Sequence, residues 1–164
     1  MNKKLALGGI GTALGVLFLA LSAYLPTGRA ACLFIASLVS YIIACMADKK
    51  TAFIMFLATS VLSVFISPAG IASAVIVYII CFGNYPIIKH YLDIKPMFIA
   101  LISKILCYTV YCIIVYLAFS YVLNINIPYA PVALYFVGIF VFAFYDFLLS
   151  YAGKYALGIL FKRF

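Results

Sequence analysis

Acidic residues are scarce in this chain, which has no glutamate and only three aspartates against eleven lysines and arginines. Tryptophan is missing, and histidine occurs once, as His90. A pair of catalytic carboxylates, a zinc-binding HExxH motif and a Ser-His-Asp triad all need residues that this inventory hardly supplies. The sequence therefore predicts that the protein is not an enzyme, and it predicts neither a metal nor a cofactor.

The five cysteines lack the spacing of a reactive site. None of them belongs to a Cys-x-x-Cys motif, and Cys107 and Cys112 fall on different faces of a helix because they are five residues apart. Cysteine often serves as a small buried apolar residue. We therefore interpret these thiols as packing residues rather than as redox centres.

Apolar sequence is what the chain has in abundance. Its 164 residues are 70% hydrophobic and 9% charged, and the mean hydropathy is +1.30. No soluble domain of this size needs so much apolar surface. Six apolar runs are long enough to cross a bilayer core of about 30 Å; they cover residues 5–25, 30–46, 51–66, 70–88, 97–123 and 132–160. The sequence predicts one all-α domain over 1–164, a polytopic bundle of six transmembrane helices in the lipid bilayer.

Positive charge is distributed unevenly around these runs. With six spans both chain ends lie on one side, and most basic residues fall on that side: Lys3, Lys4, Lys49, Lys50, Lys89, Lys95, Lys154, Lys162 and Arg163. Arg29 falls on the opposite side. The positive-inside rule then predicts cytoplasmic termini and a multi-pass protein of the cell membrane. Since the basic residues are scattered through short loops and form no continuous face, no nucleic-acid partner is expected.

Two charged residues fall inside the apolar runs, Lys104 in the fifth and Asp146 in the sixth. At about 1.5 Å per residue, they lie roughly 10 Å and 21 Å from the starts of their runs. Because these helices run in opposite directions through a core about 30 Å thick, both residues are expected at one depth. A charge there costs about 2.5–3.5 kcal/mol on insertion scales and normally finds a partner. We therefore expect Lys104 and Asp146 to pair.

Other polar residues are expected close to this pair. Asn84 lies roughly 21 Å along the fourth run, and Tyr108 lies one helical turn beyond Lys104. Lys89 is interpreted as an end residue whose long side chain reaches the membrane interface. The predicted intramembrane polar layer comprises Asn84, Lys104, Tyr108 and Asp146. It is either a structural clamp or a binding or coupling site, and the sequence leaves both interpretations open.

Small residues are concentrated at the beginning of the first run. Gly9 and Ala13 are four residues apart, as are Gly11 and Gly15. Such pairs allow another helix backbone to approach closely. The neighbour is either a helix of this chain or a helix of a partner protein.

The short spans, the cytoplasmic ends and the small-residue first helix, beginning Leu5-Ala6-Leu7-Gly8-Gly9, resemble the S components of energy-coupling-factor vitamin transporters. In that family the small-residue face of the first helix docks on the coupling subunit. The resemblance implies a docking role for Gly9, Gly11, Ala13 and Gly15. It also implies a coupling transmembrane subunit, ATPases and a small-molecule ligand held in an outward-facing cavity.

Candidate ligand contacts under this resemblance lie toward the outer ends of the spans. They are Tyr24, Arg29, Tyr121, Asn124, Asn126, Tyr129 and Tyr135. Arg29 is equally suited to anchor a helix end at the headgroups, and Asn124 and Asn126 are equally suited to turns. The alternative function is a non-transporting membrane scaffold or assembly protein whose polar layer only fixes helix packing.

Overall fold

A computed structural model describes residues 2–25, 27–66, 72–122 and 131–161, which contain helices and turns but no strand. The helices are α1 (Asn2–Tyr24), α2 (Arg29–Met46), α3 (Lys49–Ile66), α4 (Ala72–Val77), α5 (Tyr85–Leu92), α6 (Met97–Val122) and α7 (Pro131–Phe161). Five stretches are long and apolar enough to cross a membrane: Lys3–Ser22, Arg29–Met46, Lys49–Ile66, Ala74–Leu92 and Met97–Ile114. The predicted all-α class is confirmed. The sixth predicted run lies within α7, which has 31 residues.

The fourth apolar run differs most from its prediction. The sequence predicts one helix over 70–88, whereas α4 passes into a π-helical turn, Tyr78–Phe82, and α5 then continues to Leu92. Gly83, at the break, lies so close to Phe56 that an added Cβ would be 2.5 Å from the ring. Pro86 favours a new helix start because it lies in the first turn of α5, where no backbone donor is needed. The hydropathy pattern does not reveal this change of helix type, because the whole segment from α4 to α5 is apolar.

Helix α2 lies at the centre of the described structure. It packs against α1, α3, α5, α7 and the π-helical turn. Buried side chains form a core where α1, α2, α3 and the π-helical turn meet, namely Leu19, Leu33, Ala36, Phe56 and Tyr78. Other large apolar side chains point outward, including Phe65 on α3 and Phe98 on α6, which are 83% and 77% exposed. Outward faces of this kind suit lipid hydrocarbon.

One end of the bundle brings together the start of α1, the turn between α2 and α3, and the end of α5. The Lys4 ammonium is 3.0 Å from Asp48 Oδ2, which joins the start of α1 to the turn between α2 and α3. Asp48 Oδ1 accepts a hydrogen bond from the backbone N–H of Thr51, 2.8 Å away, and so caps α3. The Lys49 Nζ atom is 4.2 Å from the centroid of the Tyr91 ring, which brings the end of α5 to the same place.

Candidate functional site

Helix α5 turns one polar face toward the protein interior. Its buried residues, Tyr85, Pro86, Lys89 and Leu92, lie mainly on one side because residues four and seven positions apart share a helix face. The side chain of Lys89 is 0% exposed. The interpretation of Lys89 as an interface residue is therefore wrong. The helix restarts at Tyr85, and Lys89 consequently lies one turn inside α5, on the face that meets α7.

Asp146 on α7 accepts hydrogen bonds from three side chains. The hydroxyl of Tyr85 donates to Oδ1 at 2.5 Å, and Lys89 Nζ donates to the same oxygen. Lys104 on α6 donates to Oδ2 at 3.0 Å. The structure thus brings Lys104 and Asp146 together, and it adds two donors from α5 that the sequence analysis did not place there.

Asp93, at the end of α5, completes the cluster. Lys104 Nζ is 2.7 Å from Asp93 Oδ1, and Lys89 Nζ is 3.5 Å from Asp93 Oδ2. Each lysine therefore contacts both aspartates, and each aspartate contacts both lysines. We refer to Lys89, Asp93, Lys104 and Asp146 as the four-charge ring. Sequence reasoning missed Asp93 because it belongs to a junction outside the apolar runs.

The four-charge ring compensates its own charge. It contains two ammonium and two carboxylate groups, and each group lies within 4 Å of two groups of opposite sign. A charge in a low-dielectric setting is tolerated when it is paired and hydrogen-bonded. The ring joins α5, α6 and α7, and a charged ligand could enter only by displacing one of its members. This arrangement favours the clamp interpretation of the ring itself.

Two members of the predicted polar layer lie apart from the ring. The carbonyl of Asn84 accepts the backbone N–H groups of Ile87 and Ile88 at the start of α5, and its side chain forms no hydrogen bond with the described residues. The hydroxyl of Tyr108 donates to the carbonyl of Tyr135, 3.0 Å away. Tyr108 reaches α7 at Gly138, where the lack of a side chain leaves room for its ring.

An aromatic cluster surrounds the Tyr85 ring between the π-helical turn, α6 and α7. The Tyr85 centroid is 4.7 Å from that of Phe142, 5.7 Å from that of Tyr145 and 6.4 Å from that of Tyr111. The hydroxyl oxygens of Tyr111 and Tyr145 are buried and have no hydrogen-bond partner among the described residues. We refer to these two groups as the hydroxyl pair.

The hydroxyl pair is chemically unusual for a protein interior. Ser37 lies beside Tyr145 and donates to the carbonyl of Phe34 at 2.7 Å, and no contact between Ser37 and the Tyr145 hydroxyl has the geometry of a hydrogen bond. A buried hydroxyl without a partner costs free energy, on the order of 1–3 kcal/mol. A bound molecule with hydrogen-bonding groups would remove that cost at both residues.

The small-residue positions of α1 divide into two faces. Gly11 and Gly15 are buried, and an added Cβ would lie 2.5 Å from Met55 Sδ at the first and 2.9 Å from Thr59 Cγ2 at the second. Gly9 has no neighbouring atom within 4 Å of such a Cβ, and Ala13 is exposed. The predicted docking role of Gly11 and Gly15 therefore needs correction. Both pack internally on α3, and only Gly9 and Ala13 stay open to a partner.

The predicted ligand contacts are not brought together in the described residues. Tyr24 and Arg29 are exposed on either side of the turn between α1 and α2. Tyr135 instead lies within the α6–α7 contact, where its hydroxyl is 3.0 Å from Thr109 Oγ1. The remaining candidates fall outside what the structure describes, namely the side chain of Tyr121 and residues Asn124, Asn126 and Tyr129.

A thiol and an imidazole meet where α2 packs on α5. Cys45 Sγ is 3.5 Å from His90 Nδ1, a contact that 45 positions of separation hide in the sequence. The three aspartates of the chain bond elsewhere, to Lys4, Lys89 and Lys104, so none is placed to orient the imidazole. Within the described ranges, no group of three or more His, Cys or acidic residues could hold a metal ion.

Comparison of the chain with protein-family models, with curated proteins and with solved structures gives no match. The features that bear on its function are the π-helical turn in the fourth span, the four-charge ring and the hydroxyl pair.

Proposed function

We propose that this protein is the substrate-capture subunit of a small-solute uptake transporter and works with an ATP-driven partner. It would cross the cell membrane six times with both termini in the cytoplasm. The observation that carries the proposal is the π-helical turn between α4 and α5, beside the hydroxyl pair. Irregular backbone at membrane depth is tolerated where it is buried in protein or lines a cavity. Single π-helical turns inside α-helices are frequent at functional sites.

The surroundings of the break suggest the class of solute. The packed rings of Tyr85, Phe142 and Tyr145 make this region apolar, and the hydroxyl pair supplies two hydrogen-bonding groups. The nearby ring of charges is already compensated and leaves no free cation or anion for a ligand. We infer a small, planar solute without net charge, such as a vitamin-like heterocycle, which would stack on the rings and bond the two hydroxyls.

The arrangement of the junctions supports the proposed topology. Contacts of Lys4 with Asp48 and of Lys49 with Tyr91 gather the start of α1 and two later junctions at one end. That end also carries the exposed residues Lys3, Lys50 and Lys95. A positive end is the cytoplasmic end under the positive-inside rule.

The open face of α1 supports a coupling partner. Gly9 and Ala13 are four residues apart and have no side chain that would keep a second helix at a distance. Small residues at this spacing are used for close helix–helix contact in membranes, since lipid does not drive helices together. The coupling subunit would contact this face.

A second candidate function, a membrane scaffold, is favoured by the four-charge ring. Its four charges compensate one another, and its residues join α5, α6 and α7. These features are sufficient for a structural role in which the ring only fixes the packing of the helices. In a scaffold, the hydroxyl pair would have no ligand. The two functions therefore differ in whether a solute occupies the aromatic cluster.

Native mass spectrometry of the protein purified gently from membranes tests the proposal. The wild type should carry a small molecule of defined mass and should co-purify with ATPase subunits. Tyr111→Phe, which removes one oxygen atom from the hydroxyl pair, should lose most of the solute. Tyr151→Phe is the matched control, because Tyr151 is exposed on α7 and lies outside the aromatic cluster.

The partner is tested separately. Ala13→Leu should release the ATPase subunits and leave the solute bound, whereas Ala143→Leu adds the same bulk at an exposed position of α7 and should release nothing. A folded wild type that carries neither solute nor partner would contradict the transport proposal and favour the scaffold.

A further inference from the structure

Two lysines converge on one exposed aromatic ring at the basic end of the bundle. The Nζ atoms of Lys49 and Lys95 lie 4.2 Å and 5.0 Å from the centroid of the Tyr91 ring. Tyr91 is 50% exposed. Like charges repel, so an anion close by would stabilise two ammonium groups gathered at one ring. We call these three residues the Tyr91 lysine pair.

The carboxylates of the chain do not supply that anion. The whole sequence contains three acidic residues. Asp48 is paired with Lys4, whereas Asp93 and Asp146 belong to the four-charge ring. No described carboxylate lies within 4 Å of Lys49 or Lys95, and apart from the carboxyl terminus, which lies outside the described residues, none is left over. A counter-charge would therefore come from another molecule.

The Tyr91 lysine pair lies where apolar helices begin. Lys49 is the first residue of α3, and Lys95 stands two residues before α6. The N-terminal ends of helices carry partial positive charge and free N–H groups, so both helices add to the positive field. Met97 and Phe98, next to Lys95, are 90% and 77% exposed. A basic site is thus continuous with a lipid-facing apolar surface.

We propose that Lys49, Tyr91 and Lys95 bind the phosphate headgroup of an anionic phospholipid. The two ammonium groups would bond the phosphate oxygens, and the acyl chains would lie along Met97 and Phe98. An acidic protein segment would match the charge but would have no use for the apolar surface beside it. The site is independent of the proposed transport function, because it rests on charges that the solute site does not use.

The proposed headgroup site is tested by measuring the affinity of the purified protein for lipids in neutral detergent. Native mass spectrometry would follow titration with phosphatidylglycerol and with phosphatidylcholine of the same acyl chains. The wild type should prefer phosphatidylglycerol. Lys49→Gln/Lys95→Gln should weaken its binding about ten- to thirtyfold, the loss expected for two lysines near a headgroup. Tyr91→Leu should also weaken binding, since it removes the ring that both ammonium groups contact and keeps the charge.

The matched control is Lys50→Gln/Lys154→Gln, which removes the same charge at two exposed lysines, neither of which lies over the Tyr91 ring. It should leave the preference within about threefold of the wild type, since it leaves the site intact. Melting temperatures confirm that each variant is folded. An equal loss in the control would show a diffuse charge effect and overturn the site. Equal binding of both lipids, or displacement of the lipid by millimolar inorganic phosphate, would overturn a headgroup site as well.

Discussion

Asp146 shows how residues from different helices share charge in this protein. Its two oxygens accept Tyr85 and Lys89 on one side and Lys104 on the other. Lys89 is fully buried, whereas the Lys104 side chain is 18% exposed. The lysine that the sequence places inside a span is therefore the more accessible of the two. Lys89, which the sequence places at a span end, depends more strongly on its partners.

Replacing Lys89 should destabilise the protein more than replacing Lys104. Lys89→Met leaves Asp146 with one cation in a buried setting, and breaking a buried pair costs about 3–5 kcal/mol. Lys104→Met should cost less because its side chain is less buried and because Asp146 keeps the hydrogen bonds from Tyr85 and Lys89. The double variant Lys89→Met/Asp146→Asn should recover much of the loss, since Lys104 and Asp93 then form a neutral pair. Thermal and denaturant unfolding in detergent measures these differences.

Lys154→Met serves as the control for loss of a lysine, because Lys154 is exposed on α7. It should leave unfolding almost unchanged. Losses of Lys89→Met and Asp146→Asn that simply add in the double variant would show that these two residues do not interact. Activity or solute retention in the folded double variant then separates a clamp from a coupling site.

Helix α1 has two different small-residue faces. Gly11 and Gly15 lie against Met55 and Thr59 of α3, whereas Gly9 has open space beside it. The same spacing in the sequence thus serves internal packing on one face and leaves the other free. Which face is internal depends on where α3 lies, and the spacing carries no information about that.

Bulk added at Gly15 should destabilise the protein, and bulk added at Gly9 should not. Gly15→Leu places a side chain against Thr59, a β-branched residue with little freedom to move, and overpacking costs about 1–3 kcal/mol. Gly11→Leu should cost less, because the flexible Met55 side chain can shift. Gly9→Leu is the matched change on the open face. Melting temperatures in detergent compare the three; equal effects at Gly9 and Gly15 would contradict the division into faces.

The stabilisation that Asp48 gives to the start of α3 should be lost at acidic pH. Hydrogen bonds from the Thr51 hydroxyl and backbone N–H, together with the Lys4 ammonium, hold the pKa of the Asp48 carboxyl well below its usual range. Because this folded-state pKa lies below the unfolded value of about 3.9, the stabilisation is present at higher pH and is lost as pH falls through the folded pKa. Asp48→Asn keeps a good capping residue and removes the titration.

The melting temperature is measured from about pH 6 down to about pH 2, a range in which the Asp48 carboxyl of the unfolded chain becomes protonated. The wild type should lose more stability over this range than Asp48→Asn, so that the two curves approach each other toward the acid end. All other ionisable groups are the same in both proteins, so their contributions cancel in the comparison. Parallel curves across the whole range would show that Asp48 contributes nothing through its charge.

The whole molecule separates its charges by position. Compensated charges lie inside, in the four-charge ring, and lysines without a carboxylate lie at one end with the starts of α1, α3 and α6. A net charge of +8 concentrated outside the spans gives a strong orientation signal. The proposed topology follows from this separation.

Cysteine labelling in intact cells checks that topology. In a background without the five native cysteines, Thr27→Cys and Asn126→Cys should react with an impermeant thiol reagent added from outside. Lys49→Cys and Lys162→Cys should react only after the membrane is opened, since both positions are expected in the cytoplasm. Labelling in the reverse sense would invert the orientation, and with it the proposed cytoplasmic docking of an ATPase.

The sequence alone determined the helical class, the apolar segments and the expectation that Lys104 and Asp146 share one depth. Composition and helical rise are sufficient for these features because they depend on residues close together along the chain. Only the tertiary structure decided that a π-helical turn lies in the fourth span, that Lys89 and Asp93 join the ring, and which face of α1 is internal. Those outcomes depend on contacts between distant residues, such as Gly83 with Phe56 and Gly15 with Thr59, and a hydropathy pattern does not encode which distant residues meet.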